Sequence, residues 1–118
     1  MADSKSLNKD ILILDAEREV EKITKTLRQL MKGTIKRRGL VIGLSGGIDS
    51  SVTAALAVRA LGASKVFGLE MPERDSAPET LMLSHSVAKK FGIETVHEDI
   101  SAILDALGCY QRYDDAVR

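Results

Sequence analysis

Apolar residues along the chain fall into short blocks with two different spacings. Three short runs are rich in apolar and β-branched residues, at 39–44, 65–71 and 93–97. Runs of this length, bounded by glycine or proline, are typical of strands in a parallel sheet. The first run, Gly-Leu-Val-Ile-Gly-Leu, carries no polar side chain, so it is expected to be buried on both faces of the sheet.

Elsewhere apolar residues recur at intervals of three and four, which indicates helices. A first helix is predicted over 16–35, capped by Asp15, with a single apolar stripe formed by Val20, Ile23, Leu27, Leu30 and Met31. A second helix is predicted over 48–61. Gly62 stands at its end, where a left-handed residue is favoured.

Two further helices are predicted after the second strand. One begins with a capping box, in which Ser76 is the N-cap and Glu79 reaches back, and it ends near Phe91 before Gly92. The other is capped by Asp99, closed by Gly108, and has Ile100, Ile103, Leu104 and Leu107 at helical spacing. No element is predicted for residues 109–118. Residues 1–14 are expected to form a flexible N-terminal segment and 15–118 one folded unit.

The alternation of strands and helices indicates βαβ units, and therefore an α/β fold with a parallel sheet and flanking helices. Ligands of such sheets bind at the carboxyl ends of the strands. The loops that follow the first and second strands are thus the first places to look for chemistry.

Composition narrows the possible functions. The 118 residues are 44% hydrophobic and 29% charged, with 17 basic and 17 acidic side chains. A net charge of zero argues against nucleic acid as a partner, and the basic residues at 32 and 36–38 are interpreted as a solvated helix end. No run predicts a signal peptide or a membrane span, so a cytoplasmic location is expected. Cys109 is the only cysteine, which excludes an intrachain disulfide.

The loop after the first strand has the composition of a phosphate-binding turn. It reads Gly43, Leu44, Ser45, Gly46, Gly47, Ile48, Asp49, Ser50 and Ser51. Free N–H groups in the first turn of the following helix, together with the helix dipole, favour an anion there. Gly46 and Gly47 let the backbone approach phosphate oxygens, and the serines add hydroxyl donors.

Asp49 is the unexpected member of this loop, because a carboxylate would repel phosphate. A bound Mg²⁺ would turn that repulsion into bridging, so the motif implies a metal, with Asp49 as its ligand. The loop lacks the lysine of a Walker motif, and the dinucleotide fingerprint Gly-x-Gly-x-x-Gly is also absent.

A second loop, residues 71–78, is expected at the same edge of the sheet. Arg74 is a candidate contact to ATP phosphate or ribose, and Glu73 and Asp75 are candidates for metal or substrate. The alternative is a charged surface turn.

Other reactive side chains have weaker support. His85, His97 and Cys109 lack a partner at catalytic or metal-ligand spacing, and Tyr110 and Tyr113 are expected to pack. No catalytic nucleophile or general base is assigned.

The pattern Ser-Gly-Gly-x-Asp-Ser at 45–50 resembles the signature of the PP-loop ATP pyrophosphatases. Together with 57–62 (Ala-Val-Arg-Ala-Leu-Gly), 71–76 (Met-Pro-Glu-Arg-Asp-Ser) and 108–110 (Gly-Cys-Tyr), it is similar to the N-terminal part of the NAD synthetases. The resemblance implies an adenine nucleotide alpha hydrolase-like, Rossmann-like fold. It also implies ATP-dependent amidation of nicotinic acid adenine dinucleotide, by ammonia or glutamine, in a protein that is a homodimer when complete.

In that reaction ATP adenylates the nicotinate carboxylate, pyrophosphate leaves, and ammonia displaces AMP. The resemblance assigns the pyrophosphate to Ser45, Gly46, Gly47, Ser50 and Ser51, and Mg²⁺ to Asp49. Members of the family are about twice this length or more, so the sheet is expected to be incomplete, with strand one as an exposed edge.

Two alternatives stay open. Another PP-loop enzyme, amidating or RNA-modifying, shares the loop, although a single cysteine and zero net charge count against the thiolating and RNA-modifying kinds. A non-catalytic ATP-binding module could use the same scaffold without needing Asp49 for chemistry.

Overall fold

The structure, a computed structural model, describes residues 9–118. Its elements are, in chain order, α1 (Ala16–Lys32), β1 (Leu40–Gly43), α2 (Ile48–Leu61), β2 (Val66–Glu70), α3 (Pro78–Phe91), β3 (Glu94–His97), α4 (Ser101–Ala106) and α5 (Cys109–Val117). A 3-10 turn, Lys9–Leu12, precedes α1. The first part of the predicted flexible segment, residues 1–8, lies outside the described residues.

The three strands form one parallel sheet in the order β1-β2-β3. In the register of the sheet, Leu40 is opposite Val66, and Phe67 is opposite Glu94. The predicted α/β fold is therefore confirmed. The expectation that strand one lies at an open edge is confirmed as well, because β2 is the central strand.

A small core lies between the sheet and helices α2 and α3. It consists of Leu44, Ala54, Ala57, Val66, Ala88 and Ile93. Alanine dominates the helix side of this core, so α2 approaches the sheet closely. Gly68, in the central strand, leaves room for two side chains, since a Cβ there would lie 2.8 Å from atoms of Leu44 and Thr95.

The prediction that strand one is buried on both faces is wrong. Leu40 and Ile42 pack against the core, whereas Val41, which points to the opposite face, is 65% exposed. Alternate residues of a strand point to opposite faces, so an uninterrupted apolar run does not show that both faces are covered. The run correctly predicted a strand but not its surroundings.

Helix boundaries follow the glycine residues more closely than the apolar stripe. Helix α1 ends at Lys32 and not at Ile35: the Gly33 amide still makes a helical bond to the Gln29 carbonyl, but the Ile35 amide donates to the Leu30 carbonyl, five residues back, at 2.8 Å. Asp15 caps α1 as predicted, accepting from the Arg18 amide at 3.1 Å. Gly62 follows α2, and Gly92 ends α3 in the left-handed conformation.

The predicted capping box of α3 is wrong. Ser76 does not cap the helix, since its Oγ accepts from the Glu73 amide at 2.9 Å, inside the second loop. The N-cap residue is Ala77, which makes no side-chain hydrogen bond, and Pro78 opens the helix with the backbone angle it already prefers.

The C-terminal end also differs from the sequence prediction. Helix α4 ends at Ala106, Gly108 adopts a left-handed conformation (φ 71°), and α5 follows where no element was predicted. Asp99 accepts from the Ser101 amide at 2.8 Å, although the N-cap position itself is Ile100. Within the described part of the chain, no helix combines the length and the apolar character needed to cross a membrane.

Candidate nucleotide-binding site

The loop between β1 and α2, residues 44–47, is held by a compact set of serine hydroxyls. Ser50 Oγ accepts from the Ser45 amide at 3.2 Å and lies 3.1 Å from Ser45 Oγ. Ser45 Oγ in turn accepts from the Gly47 amide at 3.3 Å. These bonds join residues at most five positions apart, so this short segment fixes much of its own shape.

The Gly47 carbonyl anchors the start of α2. It accepts from Ser51 Oγ at 2.7 Å and from Ser50 Oγ at 3.2 Å. The amides of Ile48, Asp49 and Ser50 occupy the first turn of α2, where the helix itself provides no carbonyl partner. Together with the positive end of the helix dipole, they form a place suited to a phosphate group.

Gly46 is the residue at which this loop meets α3. Its φ is 76°, and a Cβ there would lie 2.5 Å from the Thr80 carbonyl oxygen and 2.9 Å from Leu83 Cβ. Gly47 differs, because its φ is −78° and its nearest neighbour would be Ser45 Oγ at 3.3 Å. The two glycines are therefore not equivalent, and only Gly46 is required by the backbone.

Asp49 projects from the first turn of α2, where it is exposed. Its backbone carbonyl accepts from Thr53 Oγ1 at 2.8 Å, and no partner of its carboxylate is found within residues 9–118. The same residues contain no cluster of three or more His, Cys, Asp or Glu side chains that could hold a metal ion. Asp49 thus offers one exposed carboxylate beside the free amides of the first turn of α2.

The second loop, residues 71–77, is organised by side chains far away in sequence. Tyr110, on α5, donates its hydroxyl to Glu73 Oε2 at 3.0 Å and accepts from the Arg74 amide at 3.1 Å. Arg74 bonds to Asp75 (3.0 and 3.1 Å) and to Asp114 of α5 (3.2 Å). Its guanidinium also stacks on the Tyr110 ring, 4.1 Å from the centroid.

Hydrogen bonds to Asp75 and Asp114 raise the pKa of Arg74, so its charge is secure. That charge is already paired with two carboxylates, those of Asp75 and Asp114. A phosphate would compete with these carboxylates for the guanidinium. The role of Arg74 at a nucleotide therefore stays a prediction.

A small cavity joins the two loops at the carboxyl edge of the sheet. It has a volume of about 90 Å³ and is lined by residues of both loops and of α3. A larger cleft of about 440 Å³ lies at the opposite edge, around Arg38 and Ala63. We take the smaller cavity as the relevant one, because ligands of parallel sheets bind at the carboxyl ends of the strands.

Glu70, the last residue of β2, lines this cavity and was missed in the sequence analysis. It is 4% exposed, and its Oε1 has no hydrogen-bond partner among residues 9–118; the nearest basic atom is His85 Nδ1 at 3.7 Å. A buried carboxylate of this kind calls for a functional explanation. The sequence signal was available, since Glu70 is the one charged residue of the strand Val-Phe-Gly-Leu-Glu.

The remaining candidates differ among themselves. His97 is exposed, and the His85 side chain is 74% exposed. Cys109 lies 3.6 Å from an Arg112 guanidinium nitrogen. Tyr110, expected only to pack, is buried and also bonds to the second loop through its hydroxyl.

A family model described as NAD synthase matches residues 19–117, which is most of the chain. The chain belongs to the NAD synthase family. The match extends from α1 to α5, so both loops described above lie within the family's domain.

Relatives within the NAD synthase family support the same conclusion. The chain is 53% identical over 113 residues to an NH3-dependent NAD(+) synthetase from Rhizobium rhizogenes, covering 96% of this chain and 34% of that protein. A similar protein from Rhizobium meliloti is 55% identical over 109 residues, covering 92% and 32%. The chain therefore spans about a third of the length of the curated relatives it matches.

Solved structures of the NAD synthase family have the same fold. An NH3-dependent NAD synthetase from Campylobacter jejuni, in complex with the nitrate ion, superposes with a TM-score of 0.73 at 34% identity, covering 80% of this chain and 40% of that one. A glutamine-dependent NAD+ synthetase from Acinetobacter baumannii, in complex with adenosine diphosphate, gives 0.70 at 25% identity, covering 90% and 19%. The predicted Rossmann-like fold is confirmed by these neighbours.

Proposed function

We propose that this chain carries the ATP-binding part of an NAD synthetase and holds the pyrophosphate of ATP at the loop between β1 and α2. The observation that supports this most directly is the loop itself, where free amides of the first turn of α2 adjoin a set of serine hydroxyls. The A. baumannii family member is described with a bound adenine nucleotide, which agrees with that use.

The proposed reaction converts a poor electrophile into a good one. The carboxylate of nicotinic acid adenine dinucleotide attacks the α-phosphorus of ATP, the bond to the pyrophosphate oxygen breaks, and an acyl adenylate forms. Ammonia then attacks the acyl carbon and AMP leaves. This chain would contribute N–H and O–H donors that stabilise the negative charge developing on the departing pyrophosphate.

Mg²⁺ would neutralise charge on the phosphate oxygens when bound. We propose Asp49 as one protein ligand of this ion, because it lies in the first turn of α2 and its carboxylate has no partner within residues 9–118.

The nitrogen source and the assembly are proposals for the whole protein. The two Rhizobium relatives are described as NH3-dependent, whereas the A. baumannii protein is described as glutamine-dependent. We propose free ammonia as the nitrogen donor, and small molecules as substrates. A homodimer of the complete protein, in the cytoplasm, is our further proposal.

Calorimetric titration of the 118-residue chain with ATP, with and without Mg²⁺, tests the binding step. We expect Mg²⁺ to strengthen ATP binding. We expect Asp49→Asn to reduce this Mg²⁺-dependent gain in affinity about tenfold, as the loss of one charged ligand implies. Asp105→Asn is the matched control, because Asp105 is exposed on α4. An ATP affinity that is unchanged by Mg²⁺ and by Asp49→Asn would refute the assignment of Asp49 as a metal ligand.

Release of pyrophosphate in the presence of nicotinic acid adenine dinucleotide and ammonium tests the chemistry. We expect release to depend on the dinucleotide and to be lost in Asp49→Asn. Tight ATP binding without release by a full-length relative carrying the same loop would favour a non-catalytic ATP-binding module.

A further inference from the structure

The hydrogen bonds between helix α5 and the second loop join two residues of the helix to two neighbouring residues of the loop. Tyr110 and Asp114 are four positions apart, on one face of the helix, and both reach Arg74 or its neighbour Glu73. Tyr110 is only 8% exposed, although its hydroxyl both donates and accepts. Burying a tyrosine with its hydroxyl fully used fixes both partners relative to each other.

The same loop is braced at its base by the segment after β3. The Glu98 amide donates to the Glu70 carbonyl at 2.8 Å, and the Ile100 amide donates to the Pro72 carbonyl at 3.0 Å. These bonds extend the sheet into the loop but stop at Pro72. Beyond that point, and within residues 9–118, the hydrogen bonds of Glu73 and Arg74 that leave the loop all go to α5.

The loop's position matters because its start lines the cavity shared with the pyrophosphate loop. Met71, Pro72 and Ser76 face that cavity together with Ser45. Ser76 Oγ accepts from the Glu73 amide at 2.9 Å, so the residue held by Tyr110 is bonded directly to one that lines the cavity. A shift of Glu73 would therefore change the shape of the nucleotide site.

We propose that α5 is a positioning element of the ATP site, with Tyr110 as the residue that sets the second loop against the nucleotide. The inference rests on the proposed function, because it requires that ATP bind between the two loops. Tyr110 acts through Glu73 and Arg74 and does not itself touch ATP. The loop's contribution is its backbone position, while the Arg74 charge stays paired with Asp75 and Asp114.

Tyr110→Phe tests this with little risk to the fold, since it keeps the ring under Arg74 and removes only the hydroxyl. We expect a roughly three- to tenfold weaker affinity for Mg-ATP, because the second loop loses both hydrogen bonds that the Tyr110 hydroxyl makes to Glu73 and Arg74. Affinity for inorganic pyrophosphate, which needs only residues 45–51, should stay within about twofold of wild type. If the role of Tyr110 were purely structural, Tyr110→Phe would weaken the binding of both ligands or of neither.

Tyr113→Phe is the matched control, because Tyr113 lies on the same helix, is 58% exposed and makes no hydrogen bond in the part of the chain that the structure describes. It should leave both affinities unchanged. Amide exchange adds an independent measurement: the Arg74 amide should exchange faster in Tyr110→Phe and at the wild-type rate in Tyr113→Phe.

The outcomes separate the inference from the proposed function. Unchanged ATP affinity in Tyr110→Phe, or an equal loss for ATP and pyrophosphate, overturns the positioning role while ATP binding stands. A wild-type chain that binds pyrophosphate and ATP equally well overturns it too, since the second loop then adds nothing. A wild-type chain that binds neither ligand overturns the proposed function and this inference with it.

Discussion

The two loops at the carboxyl edge of the sheet are built in opposite ways. In the first, Ser45, Gly47 and Ser50 bond to one another within five positions of sequence. In the second, local bonds such as that from the Glu73 amide to Ser76 Oγ are joined by contacts from α5, 36 to 40 residues further along the chain. The side-chain hydrogen bonds of the first loop are therefore local, whereas those of the second loop also depend on a distant helix.

Because of this difference, we expect the two loops to contribute differently to ligand binding in the proposed ATP site. A self-shaped loop offers amides and hydroxyls to phosphate whatever the rest of the site does. A loop held from a distance can be adjusted by changes elsewhere, so it suits the part of the site that distinguishes one ligand from another. Breaking each loop separately is therefore informative.

The largest effect is expected from Gly46→Ala, which attacks the first loop where it meets α3. The new methyl group would clash with the Thr80 carbonyl and Leu83, at a φ that alanine rarely adopts. We expect unfolding free energy to fall by roughly 2–4 kcal/mol, with loss of ATP and pyrophosphate binding. Denaturant unfolding and calorimetry measure the two effects.

Gly47→Ala is the control for that experiment. Its φ of −78° is ordinary, and the added methyl would meet only Ser45 Oγ at 3.3 Å. We expect a loss of less than about 1 kcal/mol. Equal losses for the two variants would show that the loop does not depend on the left-handed residue.

The same contrast explains what could be predicted from sequence. The phosphate-binding loop was recognisable because its glycines, serines and Asp49 are consecutive and their bonds are local. The helix caps at Asp15 and Gly92 were predictable for the same reason. In each case the partners lie within a few residues of each other, so the pattern of residues contains the interaction.

Features that depend on distant contacts were missed or misread. Ser76 fits a capping box by spacing, yet its hydroxyl is used by Glu73. Residues 109–117 are mostly polar, and the bonds of α5 to Glu73 and Arg74, made by Tyr110 and Asp114, join residues 36 to 40 positions apart. Val41 belongs to an apolar run, but its exposure depends on which face of the sheet the helices cover.

Ser50→Ala tests whether the hydrogen bonds of the serine hydroxyls fix the shape of the first loop. The variant removes the bonds from Ser50 Oγ to the Ser45 amide and the Gly47 carbonyl. We expect a loss of about 1 kcal/mol in unfolding free energy and weaker pyrophosphate binding. Thr53→Ala, which removes a single bond to the Asp49 carbonyl, serves as the comparison. If Ser50→Ala binds ATP more weakly but binds pyrophosphate as tightly as wild type, the first loop is not the pyrophosphate site.

Glu70→Gln examines the junction between the loops. The wild-type carboxylate is buried, and one of its oxygens has no partner within the described residues. Burying this charge lowers the free energy of unfolding, and a neutral amide of the same shape would avoid that loss. We expect a gain of up to about 1 kcal/mol in unfolding free energy. Glu94→Gln, at an exposed position on β3, should change nothing measurable. A marked loss in Glu70→Gln would mean that the pair with His85 stabilises the fold.

The smallest effect is expected at Asp99, whose bond to Ser101 is another local device of the kind seen in the first loop. Hydrogen bonds from Ser101 hold the pKa of Asp99 below its ordinary value of 3.8. A lowered folded pKa stabilises the protein above the unfolded value, and this stabilisation is lost as the pH falls through the folded pKa. The Asp99→Asn variant cannot titrate, so its unfolding free energy relative to wild type should be lowest near pH 7 and should recover below pH 3.8. Thermal unfolding of both proteins from pH 7 to pH 2 measures this difference. A difference that is constant across the range would mean that the Asp99 charge adds nothing to the turn, and that its oxygen serves as well in an amide as in a carboxylate.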